Sequence, residues 1–152
     1  MVEGLSNAYV ENIFKKIIGS SFIGVYPCDI HPIIKLKHFS IIFNTGDSST
    51  KGEHFIAIFT NRNSFFYFDS FGKKNTDKNV QVFIEKHAKK KKMYISKQKI
   101  QHDNSSFCGF YCIAFLISKY RKLKNFRESF SKYGLMKNDE NVVQFICKNL
   151  NK

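Results

Sequence analysis

A cysteine followed at once by glycine opens a predicted apolar helix in the segment QHDNSSFCGFYCIAFLI, residues 101–117. The polar, turn-rich residues before Cys108 place it on the first turn of that helix. There the unpaired backbone N–H groups and the positive end of the helix dipole favour a thiolate over a thiol. Gly109 has no side chain, so the backbone of another molecule could approach closely. The segment therefore predicts a reactive thiol rather than a cysteine buried for packing.

A nucleophilic thiolate needs a base, and the base needs a group that orients it. His54 opens a predicted strand at the edge of the sheet, and Asp69 lies near the end of the next strand. The tight turn Asn61-Arg62-Asn63 joins the two strands. The start of one hairpin strand lies beside the end of the other, so we expect His54 and Asp69 to be neighbours.

Gln101, in the polar loop before the helix, could turn its amide NH₂ toward an oxyanion beside the backbone N–H of Cys108. Nucleophile, base, orienting acid and oxyanion donors thus all have a candidate residue. These are the parts that cysteine-dependent hydrolysis requires.

The elements that must position these residues follow from periodicity and turn signals. The predicted helices cover residues 6–18, 76–88, 108–120 and 140–150, with Thr76 as the cap of the second. The predicted strands cover residues 22–26, 38–44, 54–60, 64–70 and 93–97, and the loop PCDIHP follows the first strand. The absence of a repeat or linker predicts a single α+β domain over residues 1–152.

Composition supports a folded domain with an uneven charge. The 152 residues include 17 Phe and 7 Tyr, which excludes a disordered chain. Residues 1–72 hold 6 basic and 6 acidic side chains, whereas residues 73–152 hold 19 basic and 6 acidic ones. This asymmetry predicts DNA as a partner, bound through phosphates without reading sequence, with Lys89, Lys90, Lys91 and Lys92 as candidate contacts. A solubilising basic face is the alternative.

Four cysteines are too few and too unevenly spaced for a disulfide scaffold, which favours a reduced, intracellular setting. We expect Cys112 and Cys147 to be buried thiols. Cys28 and His31 with Cys108 and Cys112 could be counted as zinc ligands, but the prolines flanking that loop disfavour the reading, and no metal is expected. No apolar run is long enough to predict a membrane span.

The ordered motifs GEHFIAIF, YFDSFG and Q-x₆-C-G-x-x-C resemble the adenain family, the adenovirus-type maturation cysteine proteases. The segments FIGVYPCD, KHFSIIFNT and NDENVVQFICKNL resemble the same family in the same order. The resemblance implies the fold of adenain and the ubiquitin-like-protein proteases, a central mixed β-sheet flanked by helices. It makes Cys108 the nucleophile, His54 the general base and later acid, Asp69 the orienting residue and Gln101 an oxyanion donor.

Two positions depart from the family pattern. Phe55 stands where this clan usually has Trp, and Asp69 stands where adenovirus enzymes often have Glu. Neither change removes a required chemical role. The residues expected to line the substrate cleft are Gly52, Glu53, Phe55 and Gly109.

The resemblance also implies a function. Family members cleave viral capsid and core precursors after glycine, gain activity on DNA, and in some cases bind an activating peptide. We therefore expect a monomeric endopeptidase of the infected cell and the virion, needing no cofactor for its chemistry, and its lysine-rich composition resembles forms from Polinton- or virophage-type elements. Two alternatives remain: a protease that removes ubiquitin-like modifiers from host proteins, and a non-enzymatic basic protein that coats DNA.

Overall fold

The computed structural model describes residues 7–45, 54–75 and 77–149. Five strands form one mixed sheet whose spatial order follows the chain. They are β1 (Phe22–Pro27), β2 (Phe39–Asn44), β3 (Phe55–Thr60), β4 (Ser64–Phe68) and β5 (Lys92–Ile95). β1 is parallel to β2, β2 to β4 are antiparallel neighbours, and β5 returns parallel to β4. The central strand β3 therefore has partners on both sides.

Helices cover both faces of the sheet. In the described part of the chain the α-helices are α1 (Asn7–Ile17), α2 (Lys78–His87), α3 (Cys108–Tyr120) and α4 (Asn138–Asn149). Short 3-10 turns lie at Gly19–Ser21, Arg127–Ser129 and Leu135–Lys137. α1, α3 and α4 pack on one face and α2 on the other. Because both faces are covered, every residue of β2 is buried and the strand reads as an apolar run.

α3 is the central helix of the larger layer. Ten of its thirteen residues are buried, which matches an apolar sequence without a polar face. Phe115 stacks on Phe68 of β4 with ring centroids 4.5 Å apart. Burying a side chain of this size contributes roughly 1.5–3 kcal/mol, so this layer fixes α3 firmly against the sheet. The first residue of α3 is thereby held close to the ends of β3 and β4.

Several predicted boundaries differ from the structure. Pro27 was expected in a loop but is the last residue of β1, which tolerates proline because β1 is an edge strand. Asp77 caps α2 by accepting a hydrogen bond from the Val80 N–H at 2.9 Å, whereas Thr76 lies outside the described residues. α4 begins at Asn138, two residues before the predicted start. None of the helices in the described chain has the length and apolarity to cross a membrane.

Candidate active site

His54 and Asp69 meet where the β3–β4 hairpin ends. The antiparallel register places Ala57 opposite Phe68, so its continuation brings His54 level with Phe71 and diagonally beside Asp69. The His54 Nε2–H donates a hydrogen bond to Asp69 Oδ1 at 2.8 Å. The two residues are neighbours, as the hairpin predicts. The predicted location at the edge of the sheet is wrong, because His54 precedes the central strand β3.

The carboxylate of Asp69 is held by the turn that it begins. Its Oδ1 also accepts a hydrogen bond from the Phe71 N–H at 2.8 Å, and the Gly72 N–H closes the turn on the Asp69 carbonyl at 2.8 Å. The Asp69 N–H donates to Ser96 Oγ at 2.9 Å, which ties the turn to the segment after β5. Asp69 is only 6% exposed. Its oxygen is thus presented to His54 in one fixed direction.

An aromatic ring covers the imidazole of His54. Phe71 stacks on it with centroids 4.7 Å apart and 28° between the planes. Lys73 and Lys99 lie near the Phe71 ring, 5.7 and 5.9 Å from its centroid. Sequence reasoning considered Phe55 and missed Phe71, although the hairpin register would have identified it. Phe55 is half-buried and packs against the core on the α3 side.

Cys108 is the first residue of α3, as predicted, and is 9% exposed. The preceding residue, Phe107, provides no side-chain cap. The backbone hydrogen bond that closes the first turn of α3 runs from the Tyr111 N–H to the Phe107 carbonyl at 3.1 Å. The N–H groups of the first turn have no acceptor within the helix itself. Gly109, expected to line the cleft, is buried in this turn, and Gly52 and Glu53 lie outside the described residues.

His54 lies between an acid and a thiol. Burial lowers the pKa of His54, but hydrogen bonds to Asp69 and to Cys108, together with the charges of both groups, outweigh this effect and raise it to about 9. Nε2 is occupied by Asp69, so the other ring nitrogen, Nδ1, is left for the thiol. An imidazolium at neutral pH beside Cys108 is the partner that a thiolate requires.

Gln101 is fully buried in the loop before α3. Its Oε1 accepts a hydrogen bond from Ser70 Oγ. Its Nε2 donates to the Ser105 carbonyl at 2.9 Å and, more weakly, to Ser105 Oγ at 3.3 Å. The N–H groups of Ile100 and Gln101 both donate to the Ser70 carbonyl. The loop that leads to Cys108 is therefore joined to the residue directly after Asp69.

Comparison with known proteins decides the family. The sequence pattern described as adenovirus endoprotease matches residues 22–138 of the 152, a span that contains His54, Asp69, Gln101 and Cys108. The chain belongs to the adenovirus endoprotease family. It is 32% identical over 132 residues to a protease of frog adenovirus 1, a match that covers 77% of this chain and 65% of the relative.

The fold has a counterpart among solved structures. A crystal structure of an ASFV protease aligns with a TM-score of 0.52 at 20% identity, covering 76% of this chain and 44% of that one. The predicted α+β fold of the adenain and ubiquitin-like-protease type is therefore confirmed. The chain spans less than two thirds of the length of either relative. An origin in a Polinton- or virophage-type element stays a prediction.

The four lysines proposed as DNA contacts have different surroundings. Lys89 and Lys90 are exposed in the turn that follows α2. Lys91 donates to Thr60 Oγ1 at 2.8 Å, and its pKa is lowered by partial burial. Lys92 belongs to β5. Lys89 and Lys90 are thus free to reach outward, whereas Lys91 holds the β3–β4 turn.

The basic turn and the candidate site lie at opposite ends of the sheet. Lys92 pairs with Ser64 at the start of β4, and Asp69 follows the end of that strand. A cavity of about 520 Å³ lies elsewhere, between β4, β5 and the chain after α3, and none of His54, Asp69 and Cys108 lines it. Cavity size alone would therefore not find the candidate site.

Three cysteines remain besides Cys108. Cys28 and Cys112 are buried, and burial raises the pKa of both thiols, most strongly that of Cys112. The prediction that Cys147 is buried is wrong, because it lies on the outer face of α4 and is exposed. The described residues contain no group of three or more His, Cys, Asp or Glu side chains that could hold a metal ion.

Proposed function

We propose that this chain is a viral cysteine endopeptidase with Cys108 as nucleophile, His54 as base and acid, and Asp69 as the residue that orients His54. One observation carries the proposal. The His54 ring is hydrogen-bonded through Nε2 to the buried carboxylate of Asp69, and it also makes a side-chain hydrogen bond to Cys108, the first residue of α3. This arrangement places an imidazolium at neutral pH beside the proposed nucleophile, which is the partner that activates a cysteine for attack.

In the proposed reaction the Cys108 thiolate attacks the scissile carbonyl carbon, and the carbonyl electrons move to oxygen. As the C–N bond breaks, His54 gives its Nδ1 proton to the leaving amine, and a thioester to Cys108 remains. A water molecule then attacks the thioester carbonyl carbon while His54 takes a proton from that water. The C–S bond breaks, and the acid product and the Cys108 thiolate are released. Asp69 stays ionised and holds Nε2–H in place throughout.

The oxyanion would be bound by the Cys108 N–H and by Gln101. Both donor contacts of the Gln101 amide go to Ser105. The 2.9 Å bond to the Ser105 carbonyl keeps the side chain in place, whereas the 3.3 Å contact to Ser105 Oγ is the one that a charged oxygen would replace.

The substrates proposed are viral capsid and core precursors cut after glycine, in keeping with the family to which the chain belongs. Phe55 and Gly109, with Gly52 and Glu53, are the proposed cleft residues. The excess of basic side chains in residues 73–152 supports DNA as a stimulating partner, bound through phosphates and contacted by Lys89 and Lys90. Action in the infected cell and virion, a monomeric state, and an activating peptide belong to the same proposal.

The test is hydrolysis of a fluorogenic peptide ending in Gly-Gly by wild type, Cys108→Ala and Cys147→Ala, each with and without duplex DNA. Cys147→Ala is the matched control, because it removes an exposed thiol far from His54 along the chain. We expect Cys108→Ala to lose turnover while keeping the wild-type circular dichroism spectrum and melting temperature, and Cys147→Ala to remain active. DNA should accelerate the wild type, and added salt should reverse that effect.

A Cys108→Ala protein that still cuts the peptide would refute the nucleophile. Cleavage at the same rate with and without DNA would support the protease but not stimulation by DNA. The basic side chains of residues 73–152 would then be read as a solubilising face. Cleavage of a fusion to a ubiquitin-like modifier, with viral precursors left intact, would favour the modifier protease instead.

A further inference from the structure

The first turn of α4 is bonded to both ends of the loop that precedes Cys108. Asn138 is fully buried, and its Nδ2 donates to the Ile100 carbonyl at 2.8 Å, directly before Gln101. Asp139 Oδ1 accepts a hydrogen bond from Ser105 Oγ at 2.8 Å. The same oxygen accepts a bond from the Tyr111 hydroxyl of α3 at 2.8 Å. The loop and α3 therefore share one anchor on α4.

The direction of the protons in this network is fixed by Asp139. An ionised carboxylate only accepts hydrogen bonds, so the single hydroxyl proton of Ser105 is committed to it. Ser105 Oγ is then an acceptor toward its other neighbours, the Phe107 N–H at 3.1 Å and Gln101 Nε2 at 3.3 Å. The Ser105 carbonyl can only accept, so it already requires the NH₂ group of Gln101 to face Ser105, while the Gln101 carbonyl oxygen faces Ser70. The Ser105 hydroxyl, with its proton committed to Asp139, adds a second acceptor for the same NH₂ group.

We propose that Asp139 is a positioning residue that acts through Ser105 to hold the NH₂ group of Gln101 in the place from which it can donate to the oxyanion. The proposal rests on the proposed function in one respect, the use of that NH₂ group for the oxyanion. With a neutral amide at position 139, a side-chain N–H of that amide could donate to Ser105 Oγ. The Ser105 hydroxyl proton could then point toward Gln101. That proton would oppose the NH₂ group of Gln101, which would lose one of its two acceptors and move, although the Ser105 carbonyl would still keep the amide from turning over.

The experiment compares Asp139→Asn with Glu140→Gln as the matched control. Both remove one negative charge from the first turn of α4, but the exposed Glu140 makes none of the contacts of Asp139 described above. Any effect of charge on helix stability is therefore common to the two variants. We expect Asp139→Asn to lower kcat about tenfold to a hundredfold with KM unchanged, and Glu140→Gln to leave both unchanged.

Two further measurements separate positioning from general damage. Alkylation of Cys108 by iodoacetamide reports the thiolate and should keep its wild-type rate in Asp139→Asn. Gln101→Ala should lower kcat in the wild type, but it should add little in the Asp139→Asn background, because both changes remove the same donor. Equal additional losses in the two backgrounds would overturn the proposal, as would wild-type kcat in Asp139→Asn.

A readout independent of turnover keeps this test apart from that of the protease itself. In ¹⁵N-labelled protein, the side-chain NH₂ resonances of Gln101, assigned from Gln101→Ala, should move and lose hydrogen-exchange protection in Asp139→Asn but not in Glu140→Gln. Unchanged resonances would refute the proposal even if the chain cleaves nothing. Should Asp139→Asn fail to fold, Ser105→Ala must shift the same resonances, and Tyr111→Phe, which removes the other donor to Asp139, must not.

Discussion

Replacing Asp69 with Asn changes the charge beside His54 and little else. The amide oxygen can still accept the two hydrogen bonds, from His54 Nε2 and the Phe71 N–H, that Oδ1 accepts at 2.8 Å. Burial already lowers the pKa of His54, and the hydrogen bonds and charges of Asp69 and Cys108 raise it to about 9 against that effect. Losing a nearby opposite charge should lower this pKa by roughly one to three pH units, or about 1.4–4 kcal/mol of preference for the imidazolium.

The assay is the pH dependence of Cys108 alkylation by iodoacetamide, in a Cys147→Ala background that removes the exposed thiol. In the wild type the rate should be high at neutral pH, where His54 is protonated, and should change again near the His54 pKa of about 9. In Asp69→Asn the neutral plateau should shrink and the profile should approach that of an ordinary thiol, which ionises near about 8.5. Peptide turnover should fall by roughly 10²–10⁴, less than in Cys108→Ala, because the nucleophile is kept.

Asp103→Asn is the control for the exchange of Asp for Asn. Asp103 is exposed and forms an ion pair with Lys99 on the surface. The pH profile of Cys108 alkylation in Asp103→Asn should match that of the wild type. An Asp69→Asn protein with the wild-type alkylation profile and turnover would show that the carboxylate does not set the charge of His54, and would remove Asp69 from the proposed triad.

Two other predictions concern stability. The raised pKa of His54 stabilises the folded state fully below the unfolded value of 6.5, and this contribution is lost as the pH rises through about 9. Cys108→Ala has no thiol at that position and lacks the contribution of Cys108 to this pKa, so its urea unfolding should show a loss smaller than about 3 kcal/mol that ends below pH 9. Adding Asp69→Asn should abolish that dependence. In Gly72→Ala the new Cβ would lie 2.8 Å from backbone atoms of Gln98 and Lys99 at a φ of +68°, so the melting temperature should fall by more than in Gly134→Ala, where φ is +64° and no atom lies within 4 Å. Equal melting temperatures for the two alanine variants would mean that the turn after Asp69 shifts freely.

Local sequence signals located the elements and the proposed triad. The hairpin turn at residues 61–63 and the polar loop before Cys108 are decided within a few residues, and the structure has both where the sequence predicts them. The pairing of His54 with Asp69 follows because an antiparallel hairpin has only one register once its turn is fixed. These are short-range constraints that a single sequence carries.

The supporting contacts were not predictable because they join distant segments. Ser96 is 27 residues from Asp69, and Asp139 is 34 residues from Ser105. The spacing of apolar residues along the chain predicts which face of an element is buried, but a single serine or aspartate gives no such signal of its distant partner. The error at Cys147 has a similar cause, since the exposed side of α4 is decided by how the helix docks on α3.

The layout of the sheet constrains how DNA could affect the proposed protease. The basic turn after α2 is separated from Asp69 by the length of β4, five residues or about 17 Å. The Debye length at physiological salt is about 8 Å, so phosphates held at Lys89 and Lys90 would change the electrostatic potential at His54 and Cys108 very little. DNA bound at this turn would also leave the opposite end of the sheet open to a polypeptide. We therefore infer that DNA would act by bringing enzyme and substrate together on one polymer, not by altering the thiolate and imidazolium pair.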